Sequence, residues 1–189
     1  HPDAIVPVVP TTTAKDFDAK EDDEYFECFE GTAVTIFKQN DEWFFTTTRC
    51  TNIDESHFNN KSTQSFGAMF DECLSSINHT RETFTNSLNE QHCYVFSIIH
   101  HNNKHVVDYT EQFDDPQYTK LALVVERDIE TMEEIKDGYS NDLVICPKKI
   151  DGKDEAALKI AKRDNQLYKI MSIKYESDSK KKPNFANVW

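Results

Sequence analysis

The hydrophobic pattern changes character at Tyr25. In 33-AVTIF-37, Val34 and Ile36 alternate with Thr35 and Phe37, and 42-EWFFTTT-48 answers with a second aromatic, β-branched run led by Trp43. A period of two in such residues is what a half-buried strand requires. The polar 38-KQND-41 between them supplies turn chemistry, so the pair predicts a β-hairpin. In 65-SFGAMFDECLSSI-77 the period lengthens, because Phe66, Met69, Phe70, Cys73, Leu74 and Ile77 fall at helical spacing. This is the stripe of an amphipathic helix facing a core, with Ser65 placed as its N-cap.

Further along, 93-CYVFSII-99 and 104-KHVVDY-109 predict a second strand pair about the turn 100-HHNN-103. There follow strand 120-KLALVVERD-128, helix 129-IETMEEIKDG-138 capped by Thr131 and stopped by Gly138, and strand 142-DLVIC-146. Helix 153-KDEAALKIAKRDNQ-166 and strand 167-LYKIMSIKY-175 complete the series. Three prolines and a threonine run in residues 1–13 predict an extended arm without helix. The expected class is α+β, with antiparallel sheets built from hairpins and a few covering helices. One domain is expected over 25–176, after an extended, acidic N-terminal arm (1–24) and before a basic C-terminal tail (177–189).

Charge narrows the function. With 34 acidic against 21 basic residues the formal charge is −13, which repels nucleic acid at long range unless the cations gather on one face. Acid concentrates in 16-DFDAKEDDE-24 and 111-EQFDD-115, whereas base collects in 159-KIAKRD-164 and 180-KKK-182. No apolar run suits a membrane span or a signal peptide, so a soluble chain is expected; the start at His1 rather than Met suggests a processed chain or a fragment. Five cysteines without a CxxC pair point to a reducing compartment, which leaves the sequons at Asn60 and Asn78 as chance matches. The seven histidines lack a metal-ligand spacing and read as solvated loop residues, so no metal site is predicted. With four glycines in all, there is little material for a backbone phosphate cradle, and no nucleophile elbow is present.

One ordered set of short motifs remains: Cys28-Phe29-Glu30-Gly31-Thr32 leading a strand, Thr48-Arg49 ending the next, then Tyr94-Val95-Phe96, Leu143-Val144-Ile145 and Tyr168-Lys169-Ile170. Over about residues 25 to 175 this order resembles the covalent nucleotidyltransferase superfamily of RNA and DNA ligases and mRNA-capping enzymes. It looks most like phage-type RNA ligases and the ligase-like proteins of large DNA viruses. The resemblance implies a nucleotidyltransferase, ATP-grasp-like ligase domain that takes ATP or GTP with magnesium. In such enzymes a lysine in K-x-D/E-G attacks the α-phosphate and holds the nucleotide as a phosphoramidate. By resemblance Glu30, Gly31, Thr32, Arg49, Phe96 and Lys169 are the nucleotide-binding residues. The glycine would admit the nucleotide to the backbone and the arginine would hold ribose or phosphate.

Set against that chemistry, the sequence shows a consistent deficit. Cys28 stands at the nucleophile position, Ser97 where an acid would follow Phe96, Asn141-Asp142 where Glu-Gly would precede the LVI run, and Met171 at the second lysine of K-x-K. A thiol nucleophile is disfavoured because Glu27 and Glu30 flank Cys28 and oppose thiolate formation. Cys28 is read instead as a small apolar filler. The resemblance therefore implies a domain that binds a nucleotide, an RNA end or a protein and does not form the covalent intermediate. Two alternatives stay open: an active ligase or guanylyltransferase using Lys38 or Lys149, and a viral assembly protein that keeps only the scaffold. In the last, the N-terminal arm would engage a protein partner. The resemblance also places the chain in host cytoplasm or a virion. The better textual match 149-KIDG-152 precedes a predicted helix rather than a strand and reads as a turn.

Overall fold

The structure is a computed structural model, and it describes residues 11–13, 24–59, 64–104, 107–135, 138–150, 170–175 and 184–188. The chain divides into two compact units. The first takes in Gly31–Lys104 and Thr110–Cys146, and the second takes in Val8–Glu30, His105–Tyr109 and Pro147–Trp189.

In chain order the elements are β1 (Thr11–Thr13), β2 (Glu24–Cys28), β3 (Thr32–Gln39), β4 (Glu42–Thr47), α1 (Phe66–Ser76), α2 (Arg81–Thr85), β5 (His92–His100), α3 (Thr110–Phe113), β6 (Thr119–Asp128), β7 (Lys149–Ile150), β8 (Ile170–Tyr175) and β9 (Asn184–Val188). The class is α+β. The first unit holds a four-stranded antiparallel sheet in the order β4-β3-β5-β6. The hairpin β3–β4 forms as its alternation demands, and it closes through Asn40 (φ 51°) and Asp41 (φ 63°). Two successive positive φ values define the turn whose twist matches the flanking strands, and Asn and Asp tolerate that region better than most residues.

Helix α1 also forms where its period places it, with Ser65 Oγ accepting the backbone N–H of Ala68 at 3.1 Å. Its buried face, Phe66, Met69, Phe70, Cys73 and Leu74, packs on the sheet face that carries Val34, Ile36, Tyr94, Phe96 and Ile98. Phe84 of α2 joins this core, making edge contacts with Phe96 (5.5 Å) and Phe70 (6.2 Å) between ring centroids. Each fully buried aromatic of this kind is worth about 1.5–3 kcal/mol in area removed from water. Arg81 ties the helices to the loop before them. Its guanidinium reaches Asp71 (2.7 Å) and Asp54 (2.6 Å) and lies over the Phe45 ring at 5.3 Å.

Three expectations fail. Residues 129–135 of the predicted helix 129–138 are not helical: Asp128 Oδ1 accepts the N–H groups of Glu130 (3.0 Å) and Thr131 (2.8 Å) and the Thr131 hydroxyl (3.1 Å). Met132 then takes φ 60°, and Glu134 makes an isolated antiparallel bridge to Arg127. An aspartate side chain competing for local N–H groups has won over helix periodicity. Residues 142–146 are likewise not a full strand. Asn141 Oδ1 turns the chain by accepting Leu143 N–H at 2.7 Å, and only Ile145 bridges Ala122 in parallel fashion. Nor do the described residues of 104–109 pair with β5, whose neighbours are β3 and β6.

The segment before Ile145 is latched by Glu126, whose side chain is 4% exposed. Its carboxylate accepts the ring N–H of His92 at 2.5 Å and the backbone N–H of Tyr139. A Cβ on Gly138 would run into that carboxylate, so glycine is required there for space rather than as a helix stop.

The second unit holds a five-stranded sheet in the order β1-β9-β8-β2-β7, antiparallel except where β1 pairs in parallel with β9. Thr11–Thr13 of the predicted arm and Asn184–Val188 of the predicted tail are thus strands that pair with each other. The predicted helix at 153–166 lies outside the described residues. Among the described residues, no helix is long and apolar enough to cross a membrane.

Candidate functional site

The run from Cys28 to Thr32 spans the boundary between the two units, which falls between Glu30 and Gly31. On the second-unit side, Cys28 is the last residue of β2 and sits opposite Ile170, the first residue of β8. Lys169, the residue before Ile170, lies outside the described residues. Glu30 is already engaged. Its carboxylate accepts Val107 N–H at 2.7 Å, its own N–H donates to the Tyr109 hydroxyl at 2.7 Å, and that hydroxyl lies 3.3 Å from its carbonyl. Phe29 packs on the same tyrosine ring at 6.1 Å. The segment 107–109 therefore serves as a brace for residues 29 and 30 rather than as a strand.

On the first-unit side, β3 begins at Thr32, opposite Ile98 of β5. A Cβ on Gly31 would fall inside contact distance of Ile98 O and Ser97 Oγ and 2.9 Å from the Ile98 carbonyl carbon. The glycine is thus required by the strand beside it, whatever it also does for a ligand. Thr32 Oγ1 accepts the Asn103 side-chain N–H at 3.0 Å, and Asn103 also donates to Ile98 O at 3.1 Å. The turn after β5 is fastened in this way to the start of β3.

Arg49 follows β4 at this same sheet end, because β3 begins where antiparallel β4 finishes. Thr47 shapes its loop: the Thr47 hydroxyl accepts the N–H groups of Cys50 (3.1 Å) and Arg49 (3.4 Å) and bonds to Ser56 Oγ at 3.1 Å. The Arg49 side chain is exposed on this fixed loop. Gly31, Thr32, Ser97 and Arg49 therefore gather at one end of the sheet by strand register alone, and a guanidinium there can meet an anion with a fork of N–H donors.

Phe96 goes elsewhere. It is fully buried, stacked on Tyr94 at 6.0 Å and edge-on to Phe84 and Tyr139, so its ring belongs to the helix-side core. The odd residues of β5 point the other way, and Ser97 among them is buried at 3% exposure. The alternative nucleophile Lys38 pairs with Glu90 at 2.5 Å and stands 3.9 Å from Asp41, beside the hairpin turn at the far end of β3 from Thr32. Lys149 is in β7, which pairs with β2 through Phe26.

Among the described residues, no group of three or more His, Cys, Asp or Glu side chains is placed to hold a metal ion. The histidines are not all solvated: His100 is fully buried. Its Nδ1 accepts Asn102 N–H at 3.1 Å, so Nε2 carries the proton that bonds Glu72 at 2.8 Å.

Three residues that brace these segments, each within its own unit, carry little sequence signal. Asn103 reads as turn polarity, Tyr109 as a strand residue, and Thr47 as one of a threonine run. Each acts through a contact distant in sequence or through loop geometry, which periodicity does not encode. The chain matches no protein-family model, and no curated protein matches it.

Proposed function

We propose that the chain is a degenerate ligase-like nucleotidyltransferase domain. It serves as a module that binds a nucleotide, an RNA end or a protein and does not form the covalent lysyl-nucleotide. The observation that carries the reading is the placement of the motif residues Gly31, Thr32 and Arg49 at one end of the four-stranded sheet. The residue next to Ile170 is Lys169, while Met171 stands at the second lysine position and Cys28 at the nucleophile. What would neutralise a phosphate is retained in part, and the amine that would attack it is replaced.

Arg49 supplies the recognition in this reading: an exposed guanidinium on a braced loop, at the sheet end where Gly31 and Thr32 begin β3. The reading that Lys38 is the nucleophile instead must first break its pairing with Glu90.

Two assays test the proposal. Incubation with α-labelled ATP or GTP and magnesium or manganese, followed by a denaturing gel, gives no labelled band; a band that disappears when one lysine is replaced overturns the non-catalytic reading. Titration with ATP, GTP and 5′-phosphorylated RNA gives saturable binding. Loss of a charged hydrogen bond in Arg49→Ala weakens that binding by about ten- to a hundredfold. No binding of any of the three removes the nucleotide reading and leaves the assembly-scaffold alternative.

A further inference from the structure

We propose that the outer edge of β4 is a self-association surface, to which a second copy of this chain adds its own β4 in antiparallel fashion. In the sheet order β4-β3-β5-β6, β4 has a strand on one side only. The other outermost strand is guarded. Ile145 exchanges backbone hydrogen bonds with Leu121 and Leu123 of β6, and further along Glu133 and Ile135 bond Asp128 and Glu126 in the same way. Among the described residues, no such cover lies along Trp43 to Phe45.

The turn fixes which groups of β4 face outward. Asn40 and Asp41 close a two-residue hairpin, so Gln39 and Glu42 form a hydrogen-bonded pair, as do Phe37 with Phe44 and Thr35 with Thr46 at alternate positions. The N–H and C=O groups of Trp43, Phe45 and Thr47 then point away from β3. Thr47 agrees with this, since its N–H donates to Cys50 O at 2.8 Å in the loop that follows. Trp43 and Phe45 make no bond of that kind among the described residues, which leaves their two donors and two acceptors on the edge. The strand also lacks what usually blunts an edge. Glu42–Thr47 has no lysine, no proline and no bulge, and carries three aromatic residues in succession.

The pattern favours a second copy as the occupant. With Trp43 opposite Phe45 of the second copy, and Phe45 opposite its Trp43, both residues of each strand exchange both hydrogen bonds. A shift of two residues either way sets one of them against the turn or against Thr47, whose N–H is already engaged. The matched register places Phe44 across from Phe44 of the second copy. It also brings the acidic start of each strand, Asp41 and Glu42, to the finish of the other, where Arg49 follows, and all three residues are exposed. β4 thus carries opposite charges at its two ends, a pattern that antiparallel pairing with itself satisfies twice. The contact is one short strand pair, so the dimer is weak and reversible. Arg49 is common to this contact and to the nucleotide reading, but the association needs no nucleotide and is measured without one.

The test is sedimentation equilibrium of the full chain from about 1 μM to about 1 mM. Salt of about 0.15 M gives a Debye length of about 8 Å, which largely screens the repulsion from a net charge of −13 on each copy. Wild type is expected to pass from monomer to dimer over this range, with amide exchange at Trp43 and Phe45 slowing in step. Phe44→Lys sets like charges face to face and is expected to weaken the dimer about tenfold. Glu42→Lys and Arg49→Glu should each associate less than wild type. Their equimolar mixture should associate more than either alone, because each then meets its complement. A wild type that stays monomeric at the highest concentration overturns the proposal, as does a dimer indifferent to these substitutions or a mixture no better than its components. Slow exchange at Trp43 and Phe45 that does not depend on concentration also overturns it, and assigns the edge to a segment of the same chain.

Discussion

Replacing Gly31 by alanine separates two roles that one glycine can have, admitting a ligand and admitting a neighbouring strand. The added Cβ would stand 2.9 Å from the Ile98 carbonyl carbon, nearer still to Ile98 O and Ser97 Oγ, where ordinary contact begins at 3.4 Å. Either β5 or the start of β3 must retreat by at least about half an ångström. Neither can do so freely, because Ile98 is paired with Thr32 on one side and Leu121 on the other, and its carbonyl also accepts from Asn103. Strain of this kind costs about 1–3 kcal/mol. At roughly 2–4 °C per kcal/mol for a chain of this size, the melting temperature of ligand-free Gly31→Ala should fall by about 2–12 °C. Removing the Ser97 hydroxyl in Gly31→Ala/Ser97→Ala recovers part of the loss and no more, since the backbone carbonyl remains. The assay is melting without nucleotide, followed by ATP titration of whatever folds. A Gly31→Ala protein that melts with wild type would refute the steric reasoning and leave the glycine to the ligand alone.

Two further outcomes follow from charged and reactive groups. Arg81→Met removes ion pairs to Asp54 and Asp71 whose carboxylates are half exposed, so a loss of about 1–2 kcal/mol is expected by denaturant titration, shrinking in high salt. The Arg81 hydrogen bond holds the Asp54 carboxyl below its ordinary value of 3.8. A depressed carboxylate stabilises the fold above its unfolded pKa and loses that contribution as pH falls through the folded value. Wild type should therefore lose its advantage over Arg81→Met only on acidification below about pH 4; an advantage unchanged there would contradict the pairing. Burial pushes Cys73 and Cys93 each up to about 12, so neither thiol should react with a thiol reagent at pH 8 until the protein is unfolded. Cys73→Ser and Cys93→Ser are expected to leave native-state labelling unchanged, and a reduced yield in either shows an accessible thiolate.

The parts of the fold legible in the sequence were those in which short-range pattern and tertiary packing agree. The Asn40-Asp41 turn and the stripe from Phe66 to Leu74 are correct because local backbone preference and the buried face point the same way. At 129–138 they diverge: the spacing suits a helix, but Asp128 captures the first N–H groups and Met132 reverses the chain. The site is legible in the same uneven way. Gly31, Thr32 and Arg49 come together because strand register follows from alternation, whereas Phe96 belongs to a core whose aromatic partners Phe84 and Tyr139 come from elsewhere in the chain. The burial of Arg127 was invisible, since a Glu-Arg-Asp run reads as solvated charge until the sheet assigns its middle member to a buried face.

The Glu126 latch bears on the order of assembly. His92 comes from β5, the receiving carboxylate from β6, and Tyr139 from the segment after them, with Ile145 then hydrogen-bonded to Leu121 and Leu123. That segment has nothing to dock on until β5 and β6 have paired. Its docking is expected to follow that pairing and its release to precede loss of the central sheet, uncovering the faces of Phe84 and Phe96 that meet Tyr139, which hydrogen exchange of the 138–145 amides would show as earlier opening than β5.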